Sequence, residues 1–238
     1  MRRRDILTAT GGGLFASALS SLRMPSPASG SDLDSDLPNL GKPVKPPAHG
    51  PVRVAFVVGP DTVLIDVAGP WEALNDAMSA FHTYTVAPNT QNADLGGLAV
   101  RPDFTFANAP APNVIVVPAT KVLPESVAWI KRASAQADIT MSICVGAFML
   151  AKTGLLDGLA ATTHHTAYDE LARRFPKIKV VRGPRFVETR DISTAGGETS
   201  GIDLGLRVIE RYFGKAAAAS SAANMEHVRT RRPVAWPA

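Results

Sequence analysis

The segment DITMSICVGAFMLAKTGLLDG joins a short apolar strand to a helix with no loop between them. A turn this tight often holds its residue in a strained conformation that raises the side chain above the edge of a sheet. Cys144, the only cysteine of the chain, occupies this turn, and the small residue Gly146 opens the helix. We therefore predict an α/β fold in which Cys144 lies on a strand-to-helix elbow.

The spacing alone leaves the role of Cys144 open. At the start of a helix, free backbone N–H groups and the positive end of the dipole favour a thiolate. The N–H of Val145 would then point at a developing oxyanion. Free cysteine is also among the residue types most often buried, so an inert structural thiol satisfies the same pattern. A single cysteine excludes an internal disulfide but leaves intermolecular pairing possible.

Strand-like and helix-like segments alternate from Val52 onward. VRVAFVV and NVIVVPAT are continuous β-branched runs, typical of parallel strands that are buried on both faces. Helical spacing places Val67, Trp71, Leu74 and Met78 on one face, and KVVRG with RFVET suggests a hairpin. The pattern predicts a single-domain three-layer α/β sandwich, with a mostly parallel sheet and helices on both of its faces.

Both ends of the chain differ in composition from its centre. Residues 1–28, with three successive arginines before a weakly apolar run, resemble a twin-arginine export signal with cleavage near Ala28. This predicts a periplasmic protein, and the alternative is a basic N-terminus on a cytoplasmic one. Residues 29–50 predict a disordered linker, residues 51–214 the domain, and residues 215–238 an Ala-rich and then basic tail.

Charge and hydropathy argue against two classes of partner. The formal net charge is +4, and the first 28 residues, with four arginines and one aspartate, account for most of it. The body of the chain therefore gives no case for nucleic-acid binding, and the tail is too short for a helix-turn-helix domain. The leader's apolar run is too short and too weakly apolar to span a membrane, so we expect no membrane contact after the signal is removed.

Five motifs occur in an order that resembles the ThiJ/PfpI superfamily: LIDVAGPWEAL, NVIVVPAT, CVGAFMLAKTGLL, GLAATTHH and STAGGETSGIDLGL. The resemblance extends from about Val52 to Phe213. It implies a flavodoxin-like fold of the class I glutamine amidotransferase type. Within the superfamily, the motifs are most similar to isonitrile hydratases and to the ligand-sensing domains of AraC-type regulators.

The resemblance assigns roles to individual residues. It makes Cys144 the nucleophile and Asp66 its acidic partner, which would hydrogen-bond the thiolate or move a proton. Asp66 also suits the N-cap of the following helix. The residues implied to bind substrate or stabilise an oxyanion are Ala119, Thr120, Val145, Gly146 and His164.

Two histidines and a glycine-rich loop have structural alternatives. His164 and His165 follow a strand, so at most one should face the cleft, and a hydrogen-bonded structural histidine is the favoured interpretation of His164. STAGGETSGIDLGL lacks the phosphate-binding patterns of glycine-rich loops. Ser200 and Asp203 resemble a capping box, so we interpret this loop as structural and as bordering the cleft.

The chain departs from the family pattern at two places. Many relatives have Gly-Gly where this chain has Ala119-Thr120. Peptidase-like relatives have His directly after the cysteine, and isonitrile hydratases often have Thr, whereas this chain has Val145. Cysteine-histidine proteolysis is therefore not expected.

The resemblance implies a cysteine-dependent hydratase or hydrolase that acts on a small electrophile, as in hydration of an isonitrile to an N-substituted formamide. One alternative is a domain that binds a small molecule without turning it over. Another is glyoxalase-like or protein-protective chemistry. No cofactor is expected, no spacing resembles a zinc site, and the resemblance implies a homodimer.

Overall fold

The structure is a computed structural model that describes residues 41–77 and 79–229. The predicted export signal, the predicted linker up to residue 40, Met78 and residues 230–238 of the predicted tail lie outside these residues. All described residues belong to one compact unit.

The β-branched runs form the centre of a seven-stranded sheet. In chain order, its strands and those of two small sheets are β1 (Val52–Val57), β2 (Phe81–Ala87), β3 (Ala93–Leu95), β4 (Leu98–Val100), β5 (Phe104–Thr105), β6 (Val114–Val117), β7 (Ile139–Ile143), β8 (Ala160–Ala161), β9 (Lys179–Val180), β10 (Phe186–Thr189) and β11 (Ile192–Ala195). The large sheet has the order β10-β11-β7-β6-β1-β2-β5. All its pairs are parallel except β10 with β11.

Helices cover both faces of this sheet. They are α1 (Leu64–Asp76), α2 (Pro124–Ala133), α3 (Gly146–Lys152), α4 (Tyr168–Arg174) and α5 (Ser200–Asn224). Side chains of α1 and α5 share one buried apolar cluster with the sheet, and those of α2, α3 and α4 share a second. The predicted three-layer α/β fold is confirmed. In the part of the chain that the structure describes, no helix is long and apolar enough to cross a membrane.

The predicted hairpin of KVVRG with RFVET is wrong. β9 instead pairs in parallel with β8, and β10 pairs in antiparallel fashion with β11. Thr189 pairs with Ile192 across the two-residue turn Arg190-Asp191, and Arg190 has a φ of 57°. Two-residue hairpin turns favour positive φ values because these match the twist of the strands. Phe186 is thereby buried at the edge of the main sheet.

Residues 41–45 of the predicted linker pack against α5. The N–H of Val44 donates to the carbonyl oxygen of Arg211 at 2.8 Å. The guanidinium groups of Arg207 and Arg211 donate to the carbonyl oxygens of Gly41 and Lys42 at 3.0 and 2.9 Å. Ordered structure therefore begins before the predicted boundary at residue 51.

The structure also differs from the predicted boundary at residue 215, because α5 continues through the Ala-rich segment. The helix breaks at Gly214, which has φ 86° and ψ 170°. Beyond the break, Ala218 and Ala222 are buried, and Ser221 Oγ donates to the carbonyl oxygen of Ala73 in α1 at 2.7 Å. The small residues of this segment allow it to pack closely against the domain.

We expect Gly214→Ala to lower the free energy of unfolding by about 1–3 kcal/mol, the usual cost of a non-glycine residue in a strained backbone region. No heavy atom lies within 4 Å of the added Cβ, so the backbone conformation alone causes the loss. Urea unfolding measures it. Ser220→Ala, an exposed change in the same helix, is the control and should stay within about 0.5 kcal/mol. Equal midpoints for Gly214→Ala and wild type would contradict the backbone break.

Candidate active site

Cys144 lies at the turn between β7 and α3 with a φ of 56°. Positive φ is uncommon for a residue with a side chain and persists where the surroundings hold it. The N–H of Cys144 donates to the carbonyl oxygens of Gly196 and Ala195 at 2.8 and 3.2 Å, and its carbonyl oxygen accepts from Thr163 Oγ1 at 2.9 Å. Neighbouring segments thus fix the backbone of Cys144 on both sides.

Gly146 allows α3 to begin very close to the end of β6. A Cβ at this position would lie 2.2 Å from the carbonyl oxygen of Val117 and 2.7 Å from that of Pro118. Both contacts are shorter than any that a side chain tolerates, so only glycine fits. The structure therefore gives Gly146 a packing role, whereas the family resemblance implied a role in the substrate site.

Asp66 lies in the first turn of α1 and is fully buried. Val63 occupies the N-cap position, so the alternative in which Asp66 caps the helix is wrong. Its Oδ2 accepts the N–H of Ala119 at 3.0 Å, which ties α1 to the loop after β6. Its Oδ1 has no hydrogen-bond partner among the described residues. Because unsatisfied buried oxygens are costly, this atom is available to a proton, the thiol or a ligand.

Ala119 and Thr120 hydrogen-bond other groups of the protein, although the family resemblance implied that they bind substrate or stabilise an oxyanion. The Ala119 N–H was expected to stabilise a developing charge, but it donates to Asp66. The Thr120 hydroxyl donates to the carbonyl oxygen of Pro60 at 3.0 Å and accepts from Thr62 Oγ1 at 2.9 Å. Thr120 therefore connects the loops that follow β1 and β6, whereas Ala119 connects the loop after β6 to α1.

The electrostatics of the site favour a neutral thiol. Burial raises the pKa of Asp66 to about 7, and the charge of Glu198 adds to this effect, while the Ala119 N–H opposes it. Burial also raises the pKa of Cys144 to about 11, and the negative charge of Asp66 adds to it. The positive end of the α3 dipole favours a thiolate, but this effect is outweighed because burial beside carboxylates disfavours a second negative charge.

Two backbone N–H groups, those of Val145 and Glu198, hydrogen-bond the Cys144 sulfur and lower its pKa against these larger effects. Donors of this kind stabilise negative charge that develops during a reaction. The expected role of Val145 as a backbone donor thus agrees with the geometry, and its side chain is 40% exposed.

Sequence reasoning missed Glu198. It follows β11 in the loop STAGGETSG, which was interpreted as structural, and has a φ of 40°. Besides its N–H, its carboxylate influences the pKa of both Asp66 and Cys144. The available signal was an acidic residue directly after two glycines at the carboxyl end of a strand. Because parallel strands end at the same edge of a sheet, such a residue can reach the strand beside it.

His164 lies against the glycine loop that follows β11. A Cβ at Gly197 would lie 2.5 Å from His164 Cδ2, and His164 Nδ1 lies 2.9 Å from Thr166 Oγ1. Burial lowers the pKa of His164, which favours the neutral ring. The expectation that His164 and His165 point to opposite sides is wrong, because a 3-10 turn begins here and their ring centroids are 4.4 Å apart.

The site thus combines a thiol, a carboxyl group that titrates near neutral pH and two N–H donors. This set can add sulfur to an electrophilic carbon while the carboxyl group moves the proton. Within residues 41–77 and 79–229, no group of three or more His, Cys, Asp or Glu side chains is placed to hold a metal ion.

Comparison of the sequence with known proteins identifies both a family and relatives. A model of the DJ-1/PfpI family matches residues 52–211. The isonitrile hydratase of Pseudomonas putida is 31% identical over 172 residues, which cover 68% of this chain and 73% of that protein. The HTH-type transcriptional regulator GbdR of Pseudomonas aeruginosa is 26% identical over 189 residues, 74% of this chain. The chain spans about half the length of that regulator, 51%.

Solved structures share the fold. A ThiJ/PfpI family protein from Pseudomonas syringae has a TM-score of 0.68 and 25% identity, with coverage of 87% of this chain and 84% of that one. An AraC family transcriptional regulator from Pseudomonas putida has a TM-score of 0.67 and 19% identity, with coverage of 74% and 100%. The second likeness shows the fold alone.

We expect Asp66→Asn to lower the pKa of Cys144, because the variant keeps an acceptor for the Ala119 N–H but removes a charge that raises this pKa. The rate of iodoacetamide labelling against pH, followed by intact mass, measures it. Below the pKa, each unit of decrease raises the thiolate fraction about tenfold.

The control for this change is Glu72→Gln, which alters an exposed acid on α1 that is not among the causes shifting the pKa of Cys144. It should leave the labelling profile unchanged. An unchanged or raised pKa in Asp66→Asn would show that the carboxylate does not act on the thiol.

Proposed function

The chain belongs to the DJ-1/PfpI family, and we propose that it is a cysteine-dependent hydratase that converts isonitriles to N-substituted formamides. The observation that carries the proposal is the pairing of a thiol on an elbow with a buried carboxyl group whose pKa is raised to about 7. The similarity to an isonitrile hydratase over two thirds of the chain supports the choice of substrate.

The raised pKa of Cys144 determines how the first step proceeds. Free thiolate is scarce at neutral pH, so the sulfur must lose its proton as it attacks. The Asp66 carboxylate accepts the thiol proton while the S–C bond forms at the isonitrile carbon. Asp66 then gives this proton to the same carbon, which yields a thioimidate on Cys144. The two steps leave Asp66 as it began.

Water completes the reaction. It adds to the thioimidate carbon while Asp66 accepts one of its protons and passes that proton to the nitrogen. As the C–S bond breaks, Asp66 carries the proton of the added hydroxyl to the departing sulfur, which returns the thiol and releases the formamide. One isonitrile and one water thus give one product. The Val145 and Glu198 N–H groups stabilise the sulfur whenever it carries negative charge. Ala119 has no such role, because its N–H holds Asp66 in place.

We expect kcat/KM for an isonitrile to rise with pH through about 7, as Asp66 ionises. Asp66→Asn should lose this rise and about 10²–10⁴-fold in activity, the usual contribution of a general acid–base group. Cys144→Ala should abolish turnover. Steady-state assays of formamide production across pH measure all three, with Glu72→Gln as the control of unchanged activity. Full turnover by Cys144→Ala would exclude the mechanism.

A small-molecule-binding function without turnover is the second candidate. It is favoured by the raised pKa of Cys144, which keeps the thiol neutral, and by Val145, which supplies no hydroxyl or imidazole. In this case wild-type protein turns over neither isonitriles nor 2-oxoaldehydes. A ligand that raises the unfolding temperature of wild type should then do so equally for Cys144→Ala. The 2-oxoaldehydes also test the glyoxalase-like alternative.

The export of the protein and its assembly are separate proposals. We propose that the arginine-rich leader directs export to the periplasm, and that the domain forms a homodimer. Two exposed apolar residues suit an interface: Leu98 in β4 is 54% exposed and Leu64 in α1 is 40% exposed. Light scattering of the purified domain measures its mass.

We expect Arg3→Lys combined with Arg4→Lys to retain the protein in the cell, because a twin-arginine signal requires both arginines of its pair. Fractionation of cells that produce each variant measures the periplasmic share. Arg2→Lys, which leaves the pair intact, should be exported like wild type. Normal export of the double variant would refute the signal.

A further inference from the structure

The loop after β11 contacts Cys144 at two points. The carbonyl oxygen of Gly196 accepts the Cys144 N–H at 2.8 Å. Two residues later, the N–H of Glu198 hydrogen-bonds the Cys144 sulfur. The position of this loop therefore affects both the backbone of the elbow and the charge that its sulfur can carry.

The second contact depends on a strained residue. Glu198 has a φ of 40°, in the left-handed region, and its side chain is exposed. A non-glycine residue in this region is strained and persists only where surrounding contacts enforce it. Because the exposed side chain contributes little packing, the enforcing contacts act on its backbone, whose carbonyl oxygen accepts the Gly201 N–H at 2.9 Å, and on its neighbours in the chain.

Arg185 supplies contacts on both sides of Glu198. Its carbonyl oxygen accepts the N–H of Gly196 at 2.8 Å, and its Nη2 donates to Thr199 Oγ1 at 3.2 Å. The same guanidinium donates through Nε to Asp203 in α5. Arg185 is 8% exposed and Asp203 is 1% exposed, so solvent screens this ion pair weakly.

Both carboxylate oxygens of Asp203 have partners. The predicted capping box with Ser200 does not form, since no side chain caps α5. One carboxylate oxygen of Asp203 accepts from Arg185, and the other lies 3.0 Å from His227 Nε2. A carboxylate with partners on both oxygens provides a fixed point for the guanidinium, which in turn reaches the loop through Thr199.

We propose that Arg185 is a positioning residue, which holds the loop after β11 so that the Glu198 N–H points at the Cys144 sulfur. It does not touch the reacting atoms and acts only through Thr199 and Glu198. The proposal rests on Cys144 being the reactive thiol of the proposed function. Thiol reactivity can nevertheless be measured without any substrate.

Three variants test this role. Arg185→Lys keeps a positive charge for Asp203, but an ammonium group is a single point of charge and does not bridge both Asp203 and Thr199. Thr199→Val removes only the hydroxyl at an exposed position of the loop. Arg207→Lys is the matched control. The Arg207 side chain is as buried as that of Arg185, at 9% exposure, and pairs with Glu188 instead of with the loop.

The readout is the rate of iodoacetamide labelling of Cys144 against pH, together with the unfolding temperature of each variant. We expect labelling at fixed pH to slow about tenfold in Arg185→Lys, as after loss of one hydrogen bond to a charged acceptor. Thr199→Val should slow it about threefold with little change in unfolding temperature. Arg207→Lys should lower the unfolding temperature, and its labelling profile should match that of wild type.

Two outcomes would overturn the proposal. One is labelling in Thr199→Val at the wild-type rate, which remains decisive even if Arg185→Lys does not fold. The other is equal slowing in Arg185→Lys and Arg207→Lys, which would show a general effect of lost stability. If the labelling changes occur as expected while wild type hydrates no isonitrile, the positioning role stands and the proposed function fails.

Discussion

The left-handed backbone of Cys144 is the constraint on which the site depends. A residue with a side chain holds this conformation only when other segments fix it, and here they come from three directions. The loop after β11 accepts its N–H, Thr163 donates to its carbonyl oxygen, and Gly146 lets α3 begin against the end of β6. The parallel sheet brings these segments together because β6, β7 and β11 are neighbours that end at one edge.

Burial beside carboxylates determines the chemistry of this edge. Asp66 and Cys144 are both removed from water, and the carboxylates raise the pKa of the thiol. Above about pH 7 the pair therefore holds one proton, on the thiol, and one negative charge, on Asp66. Such a pair suits reactions in which bond formation and proton transfer occur together, and it does not suit those that need a standing thiolate. The proposed hydratase mechanism follows from this distribution.

A buried ionic cluster holds β10 and segments near both ends of the described chain against α5. Arg207 donates to both Glu188 and Glu210, and Arg229 donates to Glu210 from beyond the helix. Arg207 also binds the backbone at Gly41, so segments near both ends of the described chain meet at one cluster. Buried ion pairs add little net stability compared with apolar packing, but removal of one partner is costly. The Arg185–Asp203 ion pair is also buried, and it connects α5 to the loop beside Cys144.

The sequence by itself determined the layered α/β fold and the position of Cys144, because both depend on local patterns. A β-branched run has few ways to be buried, and a strand that meets a helix without a loop must turn sharply. The tertiary structure alone decided what surrounds the sulfur. Asp66 and Ala119 are 53 residues apart in sequence, and Glu198 reaches Cys144 from the loop after β11. Such contacts, like the pairing of β10 and the packing of the Ala-rich helix, depend on which strands become neighbours, and no local spacing encodes that order.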